Sequence, residues 1–220
     1  MDILLTKRLS ASILDLIKSW GWDFDVVEAL SISLLEVKEI PGKTDAWIIS
    51  SRNSWKIVQE FISQTPSVIY CIGLWLQNEL TKAGVPSEIK SFENMKALSA
   101  DLQNQKSQHM LYFCADNHRA ELGMALKNTS ISITKVITHE SRLAFPVLKK
   151  NYDAVFIFSP RSAESLLKNN KFNERTSFVC IGPTTAEYLH GQGITNTFCA
   201  SYPDTKLMFQ EFKRWKSEQT

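Results

Sequence analysis

The sequence predicts an α/β protein of two doubly wound parallel sheets, one domain inserted into the other. Two observations carry most of that reading: a strand–turn–helix pattern used twice between residues 154 and 193, and an earlier copy of the same pattern between 46 and 85. In the later copy, AVFIFSPRSAESLLKNNKFNERTSFVCIGPTTAEYLHGQGI, the apolar runs 155–158 and 178–181 are short and rich in β-branched and aromatic residues. Such runs read as strands buried on both faces. Each passes directly into turn chemistry, Ser159-Pro160 after the first and Gly182-Pro183-Thr184-Thr185 after the second, and helices begin near Arg161 and Thr184. This arrangement sets backbone N–H groups and hydroxyls at the carboxyl edge of a sheet, where open α/β folds bind ligands. Helix N-termini attract anions, so the expected ligand carries carboxylates or phosphates.

The earlier copy reads AWIISSRNSWKIVQEFISQTPSVIYCIGLWLQNELTKAGV. Ile48-Ile49-Ser50-Ser51 corresponds in type to Ile157-Phe158-Ser159-Pro160, and Cys71-Ile72-Gly73 recurs as Cys180-Ile181-Gly182. The helix after each of those glycines ends near another, Gly84 or Gly193. Self-similarity of this length points to a repeated supersecondary unit.

The remaining elements follow in chain order. Residues 3–6 are a first strand, and a helix capped by Ser10 carries Ile13, Leu14, Ile17 and Trp20 on one face before stopping at Gly21. Residues 24–30 form a second strand, and the charged stretch 36–45, with its Pro-Gly, is a connection. Strands are expected at 85–92, 110–114 and 131–137, with helices at 94–105 and 119–127 and a polar stretch at 139–142. The end of the chain supplies a strand at 197–200 and a helix at 205–216, whose Lys206, Lys213, Arg214 and Lys216 mark a solvated face. Strand counting then sets the architecture. The N-terminal pair of strands cannot close a core alone, and the last three complete it. The expected division is therefore a discontinuous outer domain, 1–35 with 142–220, and an inserted domain, 36–141. Two crossings, near 33–44 and 139–150, make a hinge, and facing carboxyl edges make a cleft.

Composition narrows the function. At 220 residues the chain can bury a substantial core. A net charge of +2 offers no broad basic face, so nucleic acid is not an expected partner. The start, MDILLTKRL, is too short in apolar residues for a signal peptide, and no stretch approaches the length of a membrane span. A cytoplasmic protein without membrane attachment is expected. Cys71, Cys114, Cys180 and Cys199 form no CxxC pair and sit in or beside strands, as small buried side chains in a reducing compartment do. His109, His118, His139 and His190 show no metal-ligand spacing, so no metal is expected.

Taken in order, ILLTKR, IISSRNSW, MLYFCADNHR, FIFSPRSA and IGPTTAEYLHGQGI make the sequence resemble the uroporphyrinogen-III synthase family over most of its length. The last segment is the most specific, and Pro203 stands where the family has a proline before its final helix. The resemblance implies two flavodoxin-like domains, one inserted in the other, joined by a two-stranded link. It implies a small-molecule substrate, hydroxymethylbilane, a linear tetrapyrrole with acetate and propionate arms, and a monomeric enzyme with no cofactor. The implied reaction loses water from the hydroxymethyl carbon of ring A, and the azafulvene so formed is attacked by the substituted carbon of ring D. A spiro intermediate fragments and recloses with ring D inverted. Because the substrate is electron-rich and loses its hydroxyl spontaneously, the enzyme's task is chiefly positioning.

Carried over residue by residue, the resemblance implies substrate contacts from Ser50, Ser51 and Asn53 in one loop and from Arg119 in another. Ser159, Gly182, Thr184 and Thr185 supply more, and Lys7 and Arg8 end the first strand near the same cleft. Thr184 is the candidate catalytic hydroxyl. The competing reading of Thr184, Thr185, Ser159 and Ser51 is helix capping, and that of Lys7, Arg8 and Arg119 is a solvated surface. The chain departs from the family at Leu76, where a threonine is common. It departs again at Thr138-His139-Glu140-Ser141, where the family often has Tyr in a V-Y-x-T segment. His139 at the tyrosine position can hydrogen-bond the departing hydroxyl and, as imidazolium, give it a proton, with a rate that declines as pH rises. The competing reading of His139 is a surface histidine on a link strand, and an alignment shifted by one leaves Ser141 as the hydroxyl donor. Rivals from other classes are a non-catalytic two-lobed cytosolic binding protein for a small polyanion and a sugar-nucleotide enzyme. The latter would want a GxGxxG loop where the chain has LLTKRLSAS.

Overall fold

The computed structural model describes residues 1–117 and 121–219. In chain order the elements are β1 (Asp2–Leu5), α1 (Ala11–Ser19), β2 (Asp23–Val26), β3 (Leu30–Leu34), β4 (Ala46–Ile49), α2 (Arg52–Val58), β5 (Val68–Ile72) and α3 (Leu74–Lys82). There follow β6 (Glu88–Phe92), α4 (Met95–Leu102), β7 (His109–Ala115), α5 (Glu121–Ala125), β8 (Ser132–Leu143) and β9 (Ala154–Ile157). The chain closes with α6 (Pro160–Leu167), β10 (Ser177–Cys180), α7 (Pro183–Gly191), β11 (Thr197–Cys199) and α8 (Thr205–Ser217). A 3₁₀ segment, Gln59–Gln64, continues α2.

Internal contacts divide the chain into two units, Met1–Ser31 with Arg142–Thr220, and Ile32–Ser141. The first holds a five-stranded sheet in the order β11-β10-β9-β1-β2, with every pairing parallel. Numbered within the unit this is 2-1-3-4-5, the flavodoxin order, whose switch point lies between β1 and β9. The second unit carries the order β3-β8-β7-β4-β5-β6, with β4–β5, β4–β7, β5–β6 and β7–β8 parallel. Counted from β4 its five parallel strands run 3-2-1-4-5, the other common doubly wound order. Both unit boundaries fall inside strands, β3 and β8, which are neighbours in one sheet.

Each sheet is covered on both faces, which explains why its strands read as unbroken apolar runs. In the first unit Ile3, Leu5, Ala154 and Phe156 pack with Ile13 and Ile17 of α1 and Met208, Phe209 and Phe212 of α8. The alternate residues Leu4, Val155 and Ile157 pack with Ala163 and Leu166 of α6 and Ala186 and Leu189 of α7. The second unit repeats the scheme. Ile48, Tyr70 and Tyr112 meet Leu98 and Leu102 of α4 and Leu122 of α5, while Trp47, Ile49 and Phe113 meet Trp55 of α2 and Leu80 of α3. Each fully buried large apolar side chain contributes about 1.5–3 kcal/mol.

Three expectations change. The strand expected at 24–30 is divided: β2 stops at Val26, Ala29 N donates to Thr6 O at 3.2 Å, and the chain then leaves β1 to enter β3. The alternation Leu30-Ser31-Ile32-Ser33-Leu34 is the period of a strand with one solvated face. The stretch 139–142, read as polar connection, is the second half of β8. His139 and Ser141 are buried there, whereas Arg142 is exposed. Of the four cysteines, Cys71, Cys114 and Cys180 are buried but Cys199 is exposed, because β11 is the edge strand. Burial pushes the Cys114 thiol up to about 11 and that of Cys180 to about 12, so neither is a thiolate nucleophile at neutral pH.

Candidate functional site

Because β1, β9 and β10 in the first unit and β4, β5 and β7 in the second run parallel to their neighbours, the loops that follow them gather at one edge of each sheet. In the first unit that edge carries Lys7 and Arg8 after β1, Ser159 after β9, and Gly182, Thr184 and Thr185 after β10. Thr6, 2% exposed, ties β1 to β9 by donating its hydroxyl to Phe156 O at 2.8 Å. Lys7 Nζ lies 4.0 Å over the centroid of the Phe158 ring, so one residue from each side of the switch point meets there. Arg8 Nε is 3.0 Å from Glu28 Oε1, a pair with both side chains largely exposed and therefore worth little.

The two helix starts at this edge differ. Ser159 is the N-cap of α6: its Oγ accepts from Ser162 N at 3.1 Å and lies 2.8 Å from Ser162 Oγ. The N-cap of α7 is Gly182, which has no side chain to offer, and Pro183 at the next position has no N–H. Capping therefore does not account for Thr184 or Thr185. Thr184 is exposed and Thr185 is 2% exposed, and among the described residues no hydrogen bond engages either hydroxyl.

In the second unit the matching edge follows β4, β5 and β7. Ser50 Oγ is 3.3 Å from Tyr112 Oη, and Ser51 caps α2 by accepting from Asn53 N and Ser54 N, both at 3.1 Å. Gly73 is the N-cap of α3, as Gly182 is of α7, so the repeat seen in the sequence is a repeat of strand, cap and helix geometry. The two glycines are nonetheless not equivalent. Gly73 has φ +87°, a conformation side chains avoid, whereas Gly182 has an extended backbone open to any residue. Gly73→Ala is expected to cost about 1–2 kcal/mol of stability and Gly182→Ala less than about 0.5 kcal/mol, read from denaturant midpoints. Neither Cβ would meet a neighbouring atom within 4 Å, so equal losses would show that backbone conformation is not the cause.

His139 is buried in β8, 5% exposed, and is not a surface histidine. The β7–β8 ladder passes from Cys114↔Ile137 to Ala115↔His139, a bulge that leaves Thr138 without a partner in the ladder. Consecutive side chains of a regular strand point to opposite faces; at a bulge they are re-aimed, and Thr138 Oγ1 and His139 Nδ1 meet at 2.9 Å. Thr138 Oγ1 also lies 3.0 Å from Ser54 Oγ and 3.2 Å from Cys114 O, and Ser54 Oγ donates to Phe113 O at 3.1 Å. Asp116 N donates to His139 O at 3.0 Å, Asp116 Oδ1 accepts from Ser141 N at 3.2 Å, and Asn117 Nδ2 donates to Ser141 O at 2.7 Å. Burial lowers the His139 pKa, opposed by the charge of Asp116. Ser54 and Thr138 are not among the expected site residues; 84 positions separate them, and only the Ser51-x-x-Ser54 spacing at a helix start hints at an inward hydroxyl. Arg119 lies outside the described residues. Among the described residues no group of three or more His, Cys, Asp or Glu is arranged to hold a metal ion. None of the described helices is long and apolar enough to cross a membrane.

Two doubly wound units with helix starts at their carboxyl edges are matched by the family described as uroporphyrinogen-III synthase HemD, whose sequence model covers residues 28–210. The chain belongs to the uroporphyrinogen-III synthase family. That family is a hydro-lyase of heme biosynthesis, so the enzyme reading of the sequence holds at the level of the family. Solved structures agree on the fold. The chain is similar to a uroporphyrinogen-III synthetase from Helicobacter pylori, with 16% identity and a TM-score of 0.69 over 97% of this chain and 99% of that one. It is also similar to a mutant uroporphyrinogen III synthase from the extremely thermophilic bacterium Thermus thermophilus, with 13% identity and a TM-score of 0.68 over 99% of each chain. No curated protein sequence matches it.

Proposed function

We propose that this chain cyclises hydroxymethylbilane to uroporphyrinogen III, with loss of water and inversion of ring D, as a monomer in the cytoplasm and without metal or nucleotide. The observation that carries the reading is the family match across residues 28–210. Chemistry at the two carboxyl edges supports it. The substrate is a flexible polyanion, and both edges offer hydroxyls and uncapped helix amides suited to carboxylates. In this reading Lys7, Arg8, Ser159, Gly182, Ser50, Ser51 and Asn53 hold the acetate and propionate arms, while Thr185, 2% exposed and with its N–H donated to Gly182 O, does not face them. Arg119 joins them on the family resemblance alone. Thr184 meets the substrate with its free hydroxyl, and His139 orients the hydroxymethyl group.

Holding arms at fixed positions lowers the barrier chiefly by limiting the geometries the reactive azafulvene can reach. Ring closure at the unsubstituted carbon of ring D competes, and positioning effects of this kind are worth several kcal/mol, on the order of 7–11 at the extreme. The deciding experiment incubates the protein with enzymatically generated hydroxymethylbilane and resolves the product isomers. Type III is expected to dominate in the presence of a chelator and without nucleotide. A product mixture equal to the protein-free control would overturn the synthase reading and leave polyanion binding as the activity to test. Sedimentation of the same preparation checks the monomer.

A further inference from the structure

α2 and α3 follow adjacent parallel strands, with Ile49 of β4 opposite Cys71 of β5, so both helices start at one sheet edge. Arg52 is the first residue of α2 and Trp75 the second of α3, and the Arg52 guanidinium carbon lies 4.4 Å from the Trp75 ring centroid. Neither residue belongs to the contacts carried over from the family. Trp75 is 38% exposed and its neighbour Leu74 61%, an apolar surface next to Ser51 and Asn53 at the same edge. Arg52 is exposed, and among the described residues no carboxylate pairs with it. An indole that holds a guanidinium against its face fixes the direction of that fork while leaving its N–H groups to a ligand.

Resting on the synthase reading above, we propose that Arg52 and Trp75 form a clamp for one pyrrole ring of the substrate: Trp75 and Leu74 pack against the ring, and Arg52 binds a carboxylate arm that the ring carries. The chemistry is complementary in both parts. A pyrrole is a flat, electron-rich, largely apolar ring, and an acetate or propionate arm accepts the two parallel N–H groups of a guanidinium.

Steady-state kinetics on hydroxymethylbilane with Arg52→Ala, Arg52→Lys, Trp75→Ala and Trp75→Phe test the clamp, with circular dichroism to count folded protein. Arg52→Ala and Trp75→Ala are expected to raise KM about five-fold with kcat within two-fold, a uniform-binding signature. Trp75→Phe, which keeps a ring, should stay within two-fold of wild type. Arg52→Lys keeps the charge but loses the fork and the stack, and should fall between. The double variant Arg52→Ala/Trp75→Ala should be no worse than about twice the worse single, because the two side chains act together. If wild-type protein makes type III product and neither alanine variant changes KM, the clamp is wrong and the synthase reading stands. If the alanine variants lower kcat alone, the residues do not bind the ground-state ring and the clamp is equally overturned. If wild-type protein gives no type III product, the synthase reading falls and the clamp with it.

Discussion

His139→Phe is expected to lower turnover ten-fold or more, about 1.4 kcal/mol of barrier, while most of the protein stays folded. The side chain is 5% exposed and sits in a chain of hydroxyls, Ser54 to Thr138 to Nδ1. One set of protons satisfies all of these contacts. Ser54 donates to Phe113 O, and Thr138 shares its single hydroxyl hydrogen between Ser54 Oγ and Cys114 O. The imidazole then donates Nδ1–H to Thr138 Oγ1. Nε2 is left as a lone pair, an acceptor for a substrate O–H or pyrrole N–H. Such an imidazole orients the hydroxymethyl group and does not protonate it. Burial lowers its pKa, so the neutral form prevails at neutral pH.

The pH profile therefore takes the opposite sign from the one expected of an imidazolium donor. Turnover should be flat through neutrality and fall as pH drops through the lowered His139 pKa. Stability follows the same direction. Below the ordinary imidazole value of 6.5 the unfolded chain binds a proton that the folded chain resists, so stability is lost as pH falls from there to the folded pKa. Thr138→Val keeps the shape and removes the hydroxyl. As a positioning residue, Thr138 should shift the His139 titration seen by NMR and cut turnover several-fold, and Thr138→Ser should restore both. Full turnover in His139→Phe, or a His139 that titrates at or above the ordinary value, would remove the imidazole from the mechanism.

What was legible in the sequence follows from how local its cause is. The runs 155–158 and 178–181 were readable because both faces of β9 and β10 are covered, which demands consecutive apolar residues. Ser51 and Ser159 were readable as caps because a cap acts within three residues. Gly182 was readable as a turn but not as an uncapped helix start, since only the folded backbone shows which residue occupies the cap. The bulge at Thr138 was invisible: it arises from the register of β8 against β7, and neither the Ser-Ile-Thr alternation nor the family resemblance encodes it. Arg52 and Trp75 stand 23 residues apart on separate helices, and only the pairing of β4 with β5 brings them together. Local pattern thus predicts elements and caps; polar networks and stacked pairs need the sheet order first.

Thr184→Ala is expected to lower kcat/KM ten-fold or more at nearly unchanged stability. The hydroxyl is exposed at the second position of α7, where Gly182 provides no capping side chain and Pro183 no amide. Its own first-turn N–H and its Oγ1 are thus left for a ligand, at the positive end of a nine-residue helix. A hydrogen bond to a charged carboxylate is worth about 1.5–3 kcal/mol, which sets the size of the loss. The folded protein loses no internal hydrogen bond when the hydroxyl goes, and alanine suits a helix, so the denaturation midpoint should move by less than about 0.5 kcal/mol. Thr185 makes the comparison sharper. Its side chain is 2% exposed, packed beneath the same turn, and Thr185→Val preserves that packing. If the carboxylate is held by the exposed hydroxyl, Thr184→Ser should recover most of the activity that Thr184→Ala loses, and Thr185→Val should lose less. Equal turnover per folded molecule in all three variants would remove the Thr184 hydroxyl from the site.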